Sequence, residues 1–256
     1  MSEFVLKLDR LEKGFDSQEV LRGITAEVQA GDVIGLLGLN GAGKTTLLET
    51  ALGFAIPDAG TVRLFGQPSS AIEDERVKHR VGFVPQQDEL LETMTGREFL
   101  QLIGRFYPSW NDALITRLAR EWDVPLHRQT LKLSVGQRQK LSILAALGHE
   151  PELIVLDEPV ASLDPLARRR FLQELIDMVS GGNRTILFST HIVSDLERIA
   201  NRVWILKDGE LVVDEALDNL KESRIEVQAA AAGGARGGPS FGAGTSLEEI
   251  FLELHK

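Results

Sequence analysis

The sequence predicts an α/β protein with buried parallel strands, an antiparallel β subdomain near the N terminus and a helical insert. Residues 33–37 and 153–156 are uninterrupted apolar runs, which are typical of strands buried on both faces of a sheet. A glycine-rich turn and a helix-permitting stretch follow the first run, as expected at a strand-to-helix junction. From residue 95 to about residue 147 the apolar spacing becomes helical, which indicates an insert of helices between sheet segments.

The composition limits the classes of protein that the chain can belong to. With 256 residues and 43% hydrophobic content, it forms one large domain, or a domain with a subdomain, around a substantial core. The net charge of −10 argues against nucleic acid as a partner, because phosphate backbones require a basic face. Cysteine is absent, which excludes disulfides and thiolate metal sites. We expect no signal peptide at the start and, without about 18 consecutive apolar residues, no membrane span.

The elements follow in order from the apolar periodicity and the turn residues between them. Strands are predicted at residues 4–8, 20–28, 33–37, 61–66, 81–84, 153–156, 185–188, 203–206 and 211–213. The segment Lys13-Gly14-Phe15 is expected between the first two strands, and Asp208-Gly209 is the predicted turn of the last hairpin. Helices are predicted at residues 44–52, 165–179 and 194–200, with a charged amphipathic stretch at 72–80 and the insert at 88–148.

In the insert, Phe99, Leu102, Ile103 and Phe106 are expected to form one apolar stripe, and Leu114, Leu118 and Trp122 another. Beyond residue 227 the composition predicts a flexible Ala/Gly linker, so that residues 1–222 form the main domain and 223–256 an extension. The stretch LEEIFLELH at the end can form a short amphipathic helix that either docks on the domain or contacts a partner.

Residues 38–46 read GLNGAGKTT and match the phosphate-binding pattern G-x-x-x-x-G-K-[ST]. Glycine lets the backbone approach phosphates without a Cβ clash, and the helix N-terminus that follows adds partial positive charge. Lys44 is expected to reach the β/γ-phosphates and Thr45 to coordinate Mg²⁺. The cradle itself consists of Gly38, Asn40, Gly41, Ala42, Gly43 and Thr46. The alternative is a Gly-rich turn that binds nothing.

Two acids follow the buried run 153–156. Asp157 lies at the predicted carboxyl edge of the sheet, where it can hold Mg²⁺ directly or through water. Because side chains alternate along a strand, Glu158 is expected to face the other way and to polarise the attacking water. A solvated acidic loop is the alternative.

Further landmarks complete an ordered series. Gln86 follows a strand, LSVGQ at residues 133–137 opens a helix with Ser134 as a good N-cap, LIVLDEP contains both acids, and Ser162-Leu163-Asp164 and His191 come later. The N-cap preference alone explains Ser134 but not the glycine and glutamine that follow it. In this order the motifs closely resemble those of the ATP-binding cassette (ABC) ATPases, over roughly residues 3–222.

The resemblance implies an ABC-type P-loop NTPase core that binds ATP and Mg²⁺, and it implies roles residue by residue. Gln86 corresponds to the glutamine that senses the γ-phosphate and the metal, and His191 to the histidine that contacts the γ-phosphate. Asp164 corresponds to the acid in the loop that couples two nucleotide sites. Phe15 occupies the place of the aromatic that stacks on adenine, although a core phenylalanine is the alternative.

In this family Ser134, Gly136 and Gln137 belong to a signature that completes the nucleotide site of a second copy, so two chains enclose two ATP molecules. The N-terminus of that helix carries partial positive charge and has no other evident ligand, which agrees with an anion site. Val135 departs from the family pattern, which usually has glycine there, and its stiff side chain is expected to weaken closure or to slow turnover.

The segments WNDALITRLAREWDVP, DEPVASLDP and SLEEIFLEL resemble ATPases that work with separately encoded membrane subunits in export. The resemblance therefore implies membrane-spanning permease subunits as partners and a location at the cytoplasmic face of the membrane. An importer subunit, a soluble ABC ATPase acting on ribosomes or DNA, and a nucleotide-dependent module without hydrolysis are the alternatives. The chain has neither two cassettes nor a basic face, and Glu158 argues against the last of them.

Overall fold

The computed structural model describes residues 4–69, 74–160, 163–180, 184–222, 225–226, 240–241 and 246–255. Its strands are β1 Phe4–Phe15, β2 Gln18–Gln29, β3 Val33–Leu37, β4 Ala59–Leu64, β5 Gln67–Pro68, β6 Val81–Val84, β7 Leu153–Leu156, β8 Thr185–Thr190, β9 Arg202–Lys207, β10 Glu210–Ala216, β11 Ile225–Glu226 and β12 Ser240–Phe241. Its helices are α1 Lys44–Ala51, α2 Glu75–Lys78, α3 Gly96–Gly104, α4 Asp112–Glu121, α5 Val135–Leu147, α6 Pro165–Ser180, α7 Val193–Ile199, α8 Leu217–Glu222 and α9 Leu247–Leu254. The chain divides into two compact units, residues 1–73 with 189–256 and residues 74–188.

The first unit contains the predicted antiparallel sheet, with strand order β2-β1-β4-β5. The predicted strands 4–8 and 20–28 are too short, because β1 continues through Phe15 and only Asp16 and Ser17 form the turn. Several register shifts separate the paired residues of β1 and β2, and Arg10 has a positive φ of 47°. These bulges disturb the alternation of buried and exposed side chains, so the sequence pattern ends before the strand does.

The same unit contains the strand that leads to the phosphate loop. All five residues of β3 are buried, and β3 pairs in parallel with β9. β10 pairs with β9 as the predicted antiparallel hairpin, and Asp208 and Gly209 at its turn both have positive φ, 49° and 83°. Such angles match the primed turns that favour Asp-Gly.

The second unit contains a parallel arrangement of β6, β7 and β8, with Val81 opposite Leu153 and Leu153 opposite Thr185. The prediction of a fully buried parallel strand at 153–156 is confirmed, because all four residues of β7 are buried. β8 extends two residues beyond its predicted end, to Thr190. The carboxyl ends of these strands carry the polar residues that the sequence singles out.

The predicted helical insert contains α3, α4, α5 and a 3₁₀ turn at Thr130–Lys132. Phe106 does not belong to the predicted stripe, because α3 ends at Gly104 and Phe106 is 59% exposed. Leu100 is buried instead, beside Phe99. The second stripe is confirmed for Leu118 and Trp122, which are buried, whereas Leu114 is only half-buried. The Trp122 ring packs edge-on against Phe171 at a centroid distance of 5.9 Å.

The C-terminal part contains elements that the sequence did not predict, namely α8 and the paired two-residue strands β11 and β12. β12 lies within the predicted linker; most of that linker, like Ser162 and the Gly181-Gly182 helix end, lies outside the described residues. Helix α9 begins at a capping box formed by Ser246 and Glu249, and its Leu247, Ile250, Phe251 and Leu254 are buried. These burials support docking of α9 on its own chain. Among the described helices, none is long and apolar enough to cross a membrane.

Candidate functional site: a phosphate loop and its companions

The phosphate loop lies between β3 and α1 and has the backbone that its glycines permit. Gly41 and Gly43 adopt left-handed φ values of 83° and 103°. A Cβ on Gly38 would approach the carbonyl oxygen of Leu206 to 2.8 Å, so a side chain is excluded there. Gly43 is the N-cap of α1 and has no side chain to bond the first amides of the helix, which leaves that cap to backbone or ligand acceptors.

Lys44 is 7% exposed, and its Nζ donates hydrogen bonds to the carbonyl oxygens of Gly38 and Leu39 at 2.9 and 3.2 Å. The ammonium therefore lies over the start of the loop that precedes Lys44. Thr45 and Thr46 follow in the first turn of α1. Asn40 and Gly41 are exposed and Ala42 is buried. The loop is thus lined by amides and one ammonium, the donor set that a polyphosphate requires.

Phe15 ends β1 and is 50% exposed, so the core-phenylalanine alternative is wrong. Its ring lines a cavity of about 390 Å³, bounded by residues 12–19 and Asp58. This volume falls in the range of small-molecule sites. That Phe15 stacks on adenine stays a prediction.

Asp157 and Glu158 follow β7 directly and are 0% and 7% exposed. The alternative of a solvated acidic loop is therefore wrong. The alternation argument for their different roles does not hold, because β7 ends at Leu156 and Glu158 has a left-handed φ of 48°. A glutamate held in this sparsely populated region carries strain that the surrounding structure must compensate, a feature that clusters at functional sites.

Gln86 and His191 are both exposed, and each lies just beyond the carboxyl end of a parallel strand. Gln86 follows β6 by two residues. His191 follows Thr190, the last residue of β8, whose Oγ1 accepts a hydrogen bond from the amide of Ile192 at 3.0 Å. In open α/β sheets this edge of the strands is where ligands bind.

Ser134 is the N-cap of α5, as predicted, and its Oγ accepts a hydrogen bond from the amide of Gln137 at 3.3 Å. The side chain of Gln137 in turn accepts from the amide of Ser134 at 3.1 Å, so the two residues form a capping box. Capping therefore explains Gln137 as well as Ser134, contrary to the sequence-based argument. Gly136 lies in the first turn of α5, and Val135 before it is 65% exposed.

Asp164 caps α6. Its Oδ1 accepts from the amides of Leu166 and Ala167 at 3.0 and 2.9 Å. The hydrogen bond from Ala167 is the main cause that lowers the pKa of the Asp164 carboxyl from its usual value. Asp164 is thus ionised at neutral pH and fixed by its helix.

The sequence analysis missed a salt bridge that involves the loop after Gln86. Asp88 binds Arg138 on α5: both Asp88 oxygens lie 3.0 Å from Arg138 Nε, and Nη2 of Arg138 donates to Oδ1. Arg138 also donates to the carbonyl oxygen of Thr130 at 3.3 Å. Both side chains are mostly buried, at 18% and 15% exposure. An acid two positions after Gln86 and a basic residue one turn after Ser134 are the only sequence signals of this pair.

The predicted site residues are therefore shared between the two units. The first carries Phe15, the phosphate loop and His191, and the second carries Gln86, Ser134, Asp157, Glu158 and Asp164. A buried strand, a glycine loop with left-handed turns, and a buried lysine at the start of a helix define a phosphate-loop nucleotide-binding protein.

Comparison with known proteins gives the family. The family model "ABC transporter" matches residues 21–161. The chain is 30% identical over 226 residues to the ABC transporter ATP-binding protein YtrB of Bacillus subtilis, covering 88% of this chain and 77% of that protein. It is 34% identical over 230 residues to the Nod factor export ATP-binding protein I of Paraburkholderia xenovorans, covering 88% and 75%.

Two solved structures have the same fold. The ATP-binding subunit of an ABC transporter superposes with a TM-score of 0.81 at 28% identity, over 98% of this chain and all of that one. The dimeric cassette MJ0796, in a post-hydrolysis state with ADP and Pi, superposes with a TM-score of 0.74 at 23% identity, over 83% and 98%. The chain belongs to the ABC transporter family of ATPases; it is an ATP-binding subunit that hydrolyses ATP.

Proposed function

We propose that the chain is the motor subunit of an exporter, that it acts as a head-to-tail dimer around two Mg²⁺-ATP, and that it drives separately encoded membrane subunits from the cytoplasmic face. The observation that carries this proposal is the composition of the phosphate loop: Lys44 buried at 7% exposure beside an N-terminal cap without a side chain. That arrangement suits the β/γ-phosphates. Gly38, Asn40, Gly41, Ala42, Gly43 and Thr46 supply its backbone and first turn.

We assign to oxygens of this chain a magnesium ion that is held together with phosphates. Mg²⁺ keeps several waters and binds through one or two carboxylates plus substrate phosphates. Within the described residues there is no group of three or more His, Cys, Asp and Glu that could hold a metal by themselves. The fully buried carboxylate of Asp157 and the oxygens of Thr45 and Gln86 would hold the ion; it would neutralise charge on the phosphates.

Glu158 is the residue that we assign to the attacking water. Its carboxylate is nearly buried and its backbone is fixed in a strained conformation, so its position is set before nucleotide arrives. His191 and Gln86 would contact the γ-phosphate from the ends of β8 and β6. Phe15 would stack on adenine at the cavity beside it.

The N-terminal end of α5 supports the proposal that a second copy of the chain contributes to each nucleotide site. Val135 and Leu131, close to this helix end, are 65% and 60% exposed, and Ser134 is exposed between them. Apolar side chains of this size that stay in water at a helix N-terminus suit a surface that a partner covers. We assign Ser134, Gly136 and Gln137 to the nucleotide of that second chain, and Asp164 to the link between the two sites.

The proposal that the transporter is an exporter rests on the relatives of this chain. The Nod factor export protein carries its direction in its name, and about three quarters of its length matches this chain. Residues 86–91, which include the exposed Leu91, are the part of the second unit that we assign to contact with the membrane subunits.

The substitution Glu158→Gln tests the assignment. It removes the base but keeps the size of the side chain and one acceptor oxygen, so turnover should fall by about a hundredfold or more while ATP still binds. A dimer that depends on ATP should then accumulate, measured by sedimentation. Glu150→Gln is the control, because Glu150 also has a left-handed φ, of 55°, but is exposed. Wild-type ATPase activity in Glu158→Gln, without an ATP-dependent dimer, would contradict the proposal.

A further inference from the structure

We infer that Asp58 and Lys13 position Phe15 for the base: Asp58 fixes the chain at residues 13–14, and Lys13 covers one face of the Phe15 ring so that the other face receives the nucleotide base. The inference deepens the proposed role of Phe15 and rests on it. None of the motifs in the sequence includes Asp58 or Lys13. We call Asp58, Lys13 and Phe15 the base clamp.

Asp58 holds the end of β1 through three contacts. Its Oδ2 accepts a hydrogen bond from the amide of Gly14 at 2.7 Å, and its Oδ1 accepts from Nζ of Lys13 at 2.9 Å. Its own amide donates to the carbonyl oxygen of Glu12 at 2.9 Å. The two hydrogen bonds to the carboxylate, first that from Lys13 and then that from Gly14, keep the pKa of Asp58 below its usual value. The carboxylate is therefore charged throughout the neutral range.

The backbone around Phe15 leaves little freedom for other arrangements. A Cβ on Gly14 would lie 2.8 Å from the carbonyl oxygen of Gln18, so the hairpin can close this tightly only with glycine. The amide of Ser17 donates to the carbonyl oxygen of Phe15 at 3.0 Å, and Asp16 has a positive φ of 54°. Phe15 thus stands at a tight turn, and the two residues before it, Lys13 and Gly14, are bound to Asp58.

Lys13 joins the anchor to the ring. Its Nζ lies 5.0 Å from the centroid of the Phe15 ring, within the distance of a cation–π interaction. The Lys13 side chain is only 13% exposed, whereas Phe15 is half exposed. An ammonium over one face of the ring leaves the opposite face for a flat partner, and Phe15 lines the 390 Å³ cavity. The cation also withdraws electron density from the ring, which favours stacking with an electron-rich purine.

The clamp acts on the base and not on the phosphates, which gives a direct test. Lys13→Met keeps the stem and removes the ammonium, and Asp58→Asn removes the charge that holds it. Each should raise KM for ATP about threefold to tenfold with kcat unchanged, the loss expected for one cation–π contact. Inhibition by inorganic tripolyphosphate, which has no base, should not change. The double variant should raise KM for ATP no further than the single variant that raises it more.

A matched control exists in the same sheet. Lys7 lies over the ring of Phe4 at 5.2 Å and pairs with Glu27, so Lys7→Met removes the same kind of contact away from the cavity. Lys7→Met should leave both KM for ATP and kcat unchanged. Thermal unfolding without nucleotide shows whether each variant is folded.

Phe15→Ala separates the two possible failures. In one outcome, Phe15→Ala weakens the binding of ATP but not of tripolyphosphate, while Lys13→Met and Asp58→Asn have no effect. In that case Phe15 binds the base, and the proposed clamp is wrong. If Phe15→Ala has no effect, the proposed role of Phe15 fails and the clamp falls with it. Equal loss of ATP and tripolyphosphate in Lys13→Met would also overturn the clamp, because Lys13 would then act on phosphate or on the fold.

Discussion

His149, two residues beyond the end of α5, is a buried titratable residue outside the site. It is 5% exposed, and its ring stacks on Tyr107 with centroids 3.9 Å apart. Its Nε2 lies 3.0 Å from the carbonyl oxygen of Val81, which can only accept, so Nε2 carries the proton. Burial, opposed in part by this hydrogen bond, lowers the pKa of His149 to about 4. The ring is neutral in the folded protein at physiological pH.

The stability of the protein should therefore depend on pH through His149. The unfolded chain binds a proton near pH 6.5 and the folded chain only near pH 4, so the contribution is complete above pH 6.5 and disappears as pH falls toward 4. Between pH 6.5 and pH 4, the free energy of unfolding should fall by about 3 kcal/mol through this residue. Urea unfolding between pH 4.5 and 7.5 measures it. His149→Phe, which keeps an aromatic ring on Tyr107, should flatten this dependence; equal slopes in wild type and His149→Phe would contradict the assignment.

Individual residues differ in how far the sequence could predict them. The positions of Lys44 at the start of α1, and of Asp157 and Glu158 after β7, follow from apolar runs and motif spacing. The left-handed φ of Glu158 does not, because nothing in a one-letter pattern encodes strain that tertiary contacts impose. The role of Gln137 has two explanations at the level of sequence. A glutamine three residues after a serine is a known capping signal, but it is also part of the signature motif, so the sequence alone does not show that Gln137 caps α5.

At the scale of elements, the Asp88–Arg138 pair ties the loop after β6 to the helix that Ser134 caps. The hydrogen bond to Asp88 is the main cause that raises the pKa of the Arg138 guanidinium, and the pair is mostly shielded from water. Such a pair restricts the movement of the loop relative to α5. Because Gln86 and Ser134 lie near its two ends, the pair connects a residue of the candidate γ-phosphate site with the signature.

Removing the carboxylate of Asp88 should disconnect these elements. We expect Asp88→Ala to reduce ATP turnover about tenfold while the affinity for ATP stays within about twofold, because Arg138 is left charged and mostly buried without its partner. Steady-state kinetics and nucleotide binding give the two values. The control is Glu152→Ala, which breaks the equally bidentate but more exposed pair with Arg80. A fall in turnover of the same size in both variants would argue for general destabilisation.

The elements that the sequence predicted correctly share long, regular apolar patterns. β3, β6 and β7 have the predicted bounds because each is largely buried on both faces and flanked by polar, glycine or proline residues. β1 was cut short because bulges break its alternation, and α8 was missed because six residues are too few for helical periodicity to emerge. Pairing partners and register depend on contacts distant in sequence, which a local pattern does not contain.

At the scale of the whole molecule, a site completed by a second copy predicts complementation between two defective chains. Ser134→Arg should keep ATP binding and lose turnover, and Lys44→Ala should lose ATP binding. In a mixed dimer, the intact phosphate loop of the first chain meets the intact signature of the second. A mixture should therefore regain a measurable part of wild-type turnover, recorded against each variant alone.

Two outcomes would contradict the composite site. Wild-type turnover by Ser134→Arg alone would show that hydrolysis needs no signature from a partner. Loss of ATP binding in Ser134→Arg, with the phosphate loop of the same chain unchanged, would place Ser134 at the wrong nucleotide.

The capping box at the start of α5 also fixes which way the hydroxyl proton of Ser134 points. A serine hydroxyl has one proton to give, and here its oxygen already receives the amide hydrogen of Gln137. The proton is therefore left to point away from the helix, toward whatever acceptor approaches from outside the chain. A carboxylate would cap α5 equally well but would repel a phosphate oxygen. If Ser134 has the proposed role, serine at this position serves both the helix that it begins and the polarity of one O–H bond.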